Sequence, residues 1–162
     1  MKTMDLAMYV GGEWHHGSGP RLEVVNPATA EPMATIPDGT AADLDKAVAS
    51  ARQGLAVWRE THPRVRTQVL FRIAETIKAR AEEFAHLDGL NLGESMATGM
   101  WTMHDVVARR FEYYAGMADK IRGDSFVTPG RFLSYTLREP IGVTGHIVPW
   151  NGPLWIGSRT IA

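Results

Sequence analysis

The stretch Ile141–Val148, reading IGVTGHIV, constrains the fold more than any other part of this sequence. Its apolar side chains fall on both faces, which is the pattern of a strand buried within a parallel sheet and not of one lying half in water. Such a strand needs flanking strands and crossover connections of about a dozen residues or more, and the 162 residues contain no second run of this kind. Helices, one core-type strand and a turn-rich arm cannot close a sheet among themselves. The sequence is therefore expected to be the N-terminal piece of a larger α/β protein.

The remaining segments are read by periodicity. Met8–Val10 and Glu13–Trp14 flank Gly11-Gly12, a two-residue hairpin turn by composition. Arg21–Val25 and Met33–Ile36 are further strand candidates, separated by Asn26-Pro27, where proline holds its predecessor extended. From Thr40 the period lengthens: Leu44, Ala47, Val48, Ala51, Leu55 and Trp58 share one face of a helix expected over 41–58, with Thr40 capping its first turn. Pro63 suits a first helical turn, and Val69, Ile73, Ile77 and Phe84 predict one long helix to about Leu87. A third helix is predicted over about 103–122, opened by Thr102 and closed by Gly123, with Val107, Phe111, Tyr114, Ala118 and Ile121 inward. The turn Pro129-Gly130 and the strand formers Phe132, Tyr135 and Thr136 predict a projecting hairpin arm, and Leu154–Ala162 reads as a further helix.

Composition narrows the function by exclusion. A hydrophobic content of 44% and a charged content of 22% are ordinary globular usage, which removes collagen-like, mucin-like and broadly disordered readings. Seventeen basic against eighteen acidic residues leave a net charge of -1, and the longest Lys/Arg block is the pair Arg109-Arg110, so no nucleic-acid footprint is expected. The lack of cysteine excludes a disulfide scaffold, a Cys-ligated zinc site and a thiol nucleophile within these residues. No run approaches the roughly 18 apolar residues of a membrane span, and the opening residues lack a signal-type apolar region, which predicts a cytoplasmic protein without membrane contact.

The most chemically suggestive stretch is His146–Leu154, a strand end followed by a rigid Pro-Trp-Asn-Gly-Pro turn. Ligands of open α/β sheets gather beyond the carboxyl ends of strands, and the Asn151 amide can donate to a developing oxyanion without itself titrating. The bland alternative is that Asn151 makes an Asx turn ahead of Gly152. Gly142 and Gly145 lack the spacing of a dinucleotide fingerprint, and no phosphate-cradling P-loop occurs. His15-His16 has no third ligand nearby and reads as a solvated loop, so no metal site is expected. His62, His86 and His104 have no nucleophile at a recognisable offset. Phe111, Tyr113 and Tyr114 read as core or interface packing, and Glu112 and Asp119 as solvated.

Taken in order, Tyr9–Trp14, Val25-Asn26-Pro27-Ala28-Thr29, Asp43–Val48, Tyr113-Tyr114-Ala115-Gly116, Ser134-Tyr135, Arg138–Val143 and Pro149-Trp150-Asn151 resemble the N-terminal third of an aldehyde dehydrogenase. The resemblance implies helices plus the first strand of a parallel Rossmann-like sheet. It divides the chain into residues 1–123 as the start of a cofactor-binding domain, 124–140 as an oligomerisation hairpin, and 141–162 as the first core strand and the beginning of its helix. It also implies NAD or NADP as cofactor, a small-molecule aldehyde as substrate and a homo-dimer or homo-tetramer as the assembled form. Asn151 would be the side-chain half of the oxyanion hole, while Val148, Pro149 and Trp150 would line the cofactor cleft. Gly152 stands where an aromatic residue is usual, which would widen the substrate tunnel. The nucleophilic cysteine and general-base glutamate of the family have no counterpart here, so the 162 residues alone are expected to be inactive. The alternative reading is a non-catalytic fragment that serves only as an oligomerisation module.

Overall fold

The computed structural model describes residues 3–162 and is a mixed helix and strand structure. Met1 and Lys2 of the opening stretch lie outside the described residues. Among the described residues, seven short strands form three small sheets. β1 (Met4–Asp5) pairs parallel with β5 (Pro32–Pro37), which pairs antiparallel with β4 (Arg21–Val25). β2 (Met8–Val10) and β3 (Glu13–His15) form the hairpin expected around Gly11-Gly12, both of which take positive φ, at 65° and 90°. β6 (Ser125–Phe126) and β7 (Ser134–Tyr135) pair antiparallel across the Pro129-Gly130 turn and form the expected arm.

Helix α1 (Ala41–Glu60) starts as its residues dictate. Thr40 Oγ1 accepts from the Asp43 amide at 3.3 Å, and the Asp43 carboxylate accepts in return from the Thr40 amide at 3.0 Å, completing a capping box. The same carboxylate oxygen also takes the Ser18 amide at 3.1 Å and the Ser18 hydroxyl at 2.8 Å. Asp43 is thus the buried clasp that ties the loop after β3 to the helix start. The apolar face read along α1 is only partly covered: Ala47, Val48 and Leu55 are half-buried, Leu44 is 64% exposed, and Asp43 is the one buried residue of the helix.

The long second helix divides. α2 (Pro63–Ala79) and α3 (Ala81–Leu92) meet at Arg80, which leaves helical geometry and forks onto the Glu83 carboxylate at 2.8 and 2.6 Å. The break turns Ala81 and Ala85 inward, and α4 (Met96–Trp101) crosses over Ala85 at Gly99. A Cβ on Gly99 would lie 2.8 Å from Ala85 Cβ and 2.9 Å from its Cα, so only glycine permits this approach.

The third helix begins earlier and ends earlier than its apolar spacing suggests. Ser95, not Thr102, supplies the cap, accepting from the Thr98 amide at 3.2 Å. Thr102–Val107 continues from α4 as a π-helical segment and passes into α5 (Ala108–Ala115). Beyond Gly116 the chain is drawn out to the base of the arm, where the Thr136 amide donates to Asp124 O and the Asp124 amide to Thr136 Oγ1, each at 2.8 Å. Glu112 is not simply solvated, because it pairs with Lys78 of α2.

The core gathers on the π-helical segment. Met103 and Val107 are completely buried with Ala108, against Ala74, Ile77, Ala81 and Phe111. Ile141–Val148, expected as the first buried strand of a parallel sheet, pairs with nothing among the described residues; Ile141 is 93% exposed and Ile147 fully so. A β-branched run acquires a ladder only when another backbone offers one. The mixed helix and strand class stands, and this segment carries no regular secondary structure.

Hydrogen bonding holds the Asp43 carboxyl well below the usual carboxylate range, the Thr40 amide contributing most. An unfolded aspartate titrates near about pH 3.9, so the stabilisation is complete above that value and is lost as the pH falls towards the depressed folded one. Asp43→Asn should therefore lower the thermal midpoint at neutral pH, with the gap to the native protein closing below about pH 4. A gap that keeps its size in strong acid would show that the clasp is not ionic.

Candidate active site

The candidate site lies where the extended segment turns into α6 (Pro153–Ile161). Trp150 and Asn151 form the turn, Pro153 occupies the first helical position, and the Ile156 amide closes the first helical bond to Gly152 O at 2.8 Å. Leu154 packs on the core around Met103, which seats the helix. Arg110 of α5 fastens it: its Nη1 donates to Trp155 O and, at 2.9 Å, to the Ser158 hydroxyl, itself buried. In sequence Arg109-Arg110 is only a basic pair, and the tether leaves no local signal because its acceptors lie 45 and 48 residues away.

Asn151 is exposed, and its side-chain amide makes no hydrogen bond among the described residues. The contrast is Asn26, whose Oδ1 accepts from the Ala28 amide at 2.9 Å in a true Asx turn. Trp150 is 73% exposed and borders a hollow of about 570 Å³ between the sheet and α3. Asp88 lines the same hollow, and burial, followed by the nearby Glu94 charge, raises its pKa. Pro149 is exposed, whereas Val148 is half-buried, with its Cγ2 close to the backbone of Gly157. Gly152 is buried: a Cβ there would stand 3.1 Å from Trp155 Cε3, so the indole of Trp155 occupies part of the space that a larger residue would fill.

Other candidates resolve quietly. His15 and His16 are exposed beside a hollow of about 290 Å³ that also meets Ser18, Asp43 and Lys46. No group of three or more potential metal ligands occurs among the described residues. No described helix is long and apolar enough to cross a membrane. Tyr113 and Tyr114 stand edge to face at 5.1 Å and are exposed, while their neighbour Phe111 is core.

Residues 14–162 match the model of the aldehyde dehydrogenase family. A hydroxyisobutyraldehyde dehydrogenase of Mycolicibacterium austroafricanum is 40% identical over 156 residues, which are 96% of this chain and 31% of that protein. A mouse cytosolic aldehyde dehydrogenase is 35% identical, with 96% of this chain and 32% of the relative covered. Among solved structures, a Staphylococcus aureus betaine aldehyde dehydrogenase variant in complex with NAD+ superposes with a TM-score of 0.90 at 30% identity, over 99% of this chain and 33% of that one. An NAD-dependent aldehyde dehydrogenase of Sinorhizobium meliloti gives 0.90 at 32% identity, over 96% and 32%. The chain belongs to the aldehyde dehydrogenase family. It spans about a third of the length of the relatives it matches.

If Arg110 is what holds α6 in register, Arg110→Ala should speed hydrogen exchange of the α6 amides roughly tenfold or more, because hydrogen bonds to a charged group contribute about 1.5–3 kcal/mol. Exchange in the α2 interior should change far less. Unchanged α6 protection would mean that Leu154 packing alone positions the helix.

Proposed function

We propose that the protein carrying this chain oxidises an aldehyde to a carboxylic acid with NAD or NADP, and that Asn151 donates to the oxyanion formed when a thiolate adds to the carbonyl. The single observation behind this reading is the unpaired Asn151 amide on the turn into a tethered helix, in a chain of this family. A neutral amide donor held by a rigid turn needs little reorganisation as charge develops, which is the physical basis of oxyanion stabilisation. Pro153 restricts the backbone on one side of Asn151 and Pro149 on the other. The thiolate comes from outside these residues, which contain no cysteine.

The segment also fits one wall of a dinucleotide cleft. Ile147 and Trp150 hold apolar faces wholly or largely in solvent beside Asn151, as a flat ring system requires of a surface it stacks on. Val148, Pro149 and Trp150 would line that wall, but this chain has no glycine-rich loop for the pyrophosphate and so supplies only part of the site. When bound, the nicotinamide supplies the hydride acceptor. The chain's own residues orient the carbonyl and stabilise its charge.

The arm formed by β6 and β7 leaves Phe132, Leu133 and Leu137 between 72% and 80% exposed, which supports its assignment as an oligomerisation hairpin in a homo-dimer or homo-tetramer. Gly152, with Trp155 against it, is assigned to the wall of the substrate tunnel.

In the full-length protein, Asn151→Ala should lower kcat by about 100- to 1,000-fold with KM little altered, the usual loss for one oxyanion donor; an unchanged kcat would remove Asn151 from the mechanism. Gly152→Phe should cost roughly tenfold or more in kcat/KM for a bulky aldehyde relative to acetaldehyde, the scale of a few methylenes' misfit. Equal efficiency for small and bulky aldehydes in the native protein would show that Gly152 does not widen the tunnel.

A further inference from the structure

The aldehyde reading leaves one feature of α6 unexplained. Between α5 and α6 lies a hollow of about 590 Å³ whose lining includes Arg109, Arg110 and Arg159, the paired rings of Tyr113 and Tyr114, and a single acidic residue, Asp105. Asp105 is already engaged, with its carboxylate 2.8 Å from Arg109. Arg110 spends only Nη1 on the tether to Trp155 and Ser158. The Arg159 side chain has neither an ion pair nor a hydrogen bond among the described residues. Two guanidinium groups, that of the exposed Arg159 and the free side of Arg110, therefore border one hollow with no carboxylate of their own, and hydrogen bonds from such cations to an anion are among the strong ones. Burial first, and the charge of Arg159 second, push the Arg110 guanidinium below its usual pKa.

Position connects this hollow to the reacting end. Gly152 and Arg159 are seven residues apart, nearly two full turns, and so share one face of α6. The rise from Pro153 to Arg159 is about 9 Å. A substrate whose carbonyl sat at Asn151 and whose chain ran past Gly152 along this face would bring its far end to the arginines. Guanidinium forks bind carboxylate and phosphate-type groups in two-point geometry, and phenol hydroxyls beside them add donors.

We propose that the hollow between α5 and α6 receives the anionic tail of the aldehyde substrate, held by Arg159 and the free side of Arg110. The proposal rests on the assignment of aldehyde oxidation to the Asn151 turn and names its substrate class: an aldehyde carrying a carboxylate or phosphate-type group several carbons from the carbonyl. Arg159 is then a specificity determinant, whereas Arg110 both binds and positions.

The test uses the full-length protein with three aldehydes of one chain length: adipic semialdehyde, its phosphonate counterpart and hexanal. Binding of adipate, which has no carbonyl to oxidise, is measured in parallel by calorimetry. The expected result is a kcat/KM at least tenfold higher for an anionic aldehyde than for hexanal. Arg159→Leu should remove that preference by raising KM for the anionic aldehydes and should weaken adipate binding tenfold or more, while Arg159→Lys restores part of both. Whichever anionic aldehyde is preferred identifies the tail as carboxylate or phosphate-type. Equal oxidation of all three aldehydes, or adipate binding that Arg159→Leu leaves untouched, overturns the proposal while the Asn151 assignment stands. Arg159-dependent adipate binding with no oxidation of any aldehyde would keep the anion site and overturn the aldehyde reading instead.

Discussion

Everything that positions the candidate site depends on the packing around Met103 and Val107. These two side chains are completely sealed from water, and they sit on the π-helical segment that joins α4 to α5. A π-helical turn, with its i→i+5 hydrogen bond, spans one more residue than an α-turn, and such turns are frequent at functional sites. Here the segment touches α2, α3 and α6 together. Leu154 reaches this core from the first turn of α6, so the helix that follows Asn151 is seated on the best-packed part of the molecule. Truncating a buried residue of this kind typically costs about 2–5 kcal/mol. Damage there would reach Asn151 without touching it.

The remainder of the structure is organised by hydrogen bonds that bridge elements distant in sequence. Asp43 clasps the loop after β3 to the start of α1, Thr67 Oγ1 donates to Ala115 O at 2.9 Å between α2 and the end of α5, and Arg110 joins α5 to α6. Each is a polar side chain bonding a partner on another element or loop, so that it fixes the relative placement of the two. The clasp matters most at the amino end, because α1 buries so little of its apolar face within this chain.

Local chemistry made much of this legible. The Gly11-Gly12 turn, the Thr40 cap, Pro63 at a helix start and the arm's Pro129-Gly130 turn all form as their residues require, since each is determined within a few positions. The motif Pro149-Trp150-Asn151 was legible in the same way. What the sequence could not reveal is non-local. The division of the second helix at Arg80 goes with the close approach of Gly99 to Ala85, and beyond α5 the chain is held at Asp124 by Thr136, both contacts between residues distant in sequence. Apolar spacing also cannot distinguish a strand from its surroundings. Ile141–Val148 has the composition of a buried strand, yet burial and pairing are properties of a neighbourhood, and among the described residues that neighbourhood is absent.

The same contrast explains why Arg159 carried no signal on its own. A single arginine in the last turn of a helix is ordinary and favourable, because its charge complements the carboxyl end of the helix dipole. Only the fold brings Arg110 and the Asp105–Arg109 pair around it, and only then does the charge count become unbalanced. The tether that places α6 is also what creates the imbalance: by committing one nitrogen to Trp155 and Ser158, Arg110 is held beside Arg159 and cannot swing away to water. Removal of the tether would relieve the repulsion and loosen the helix in one step.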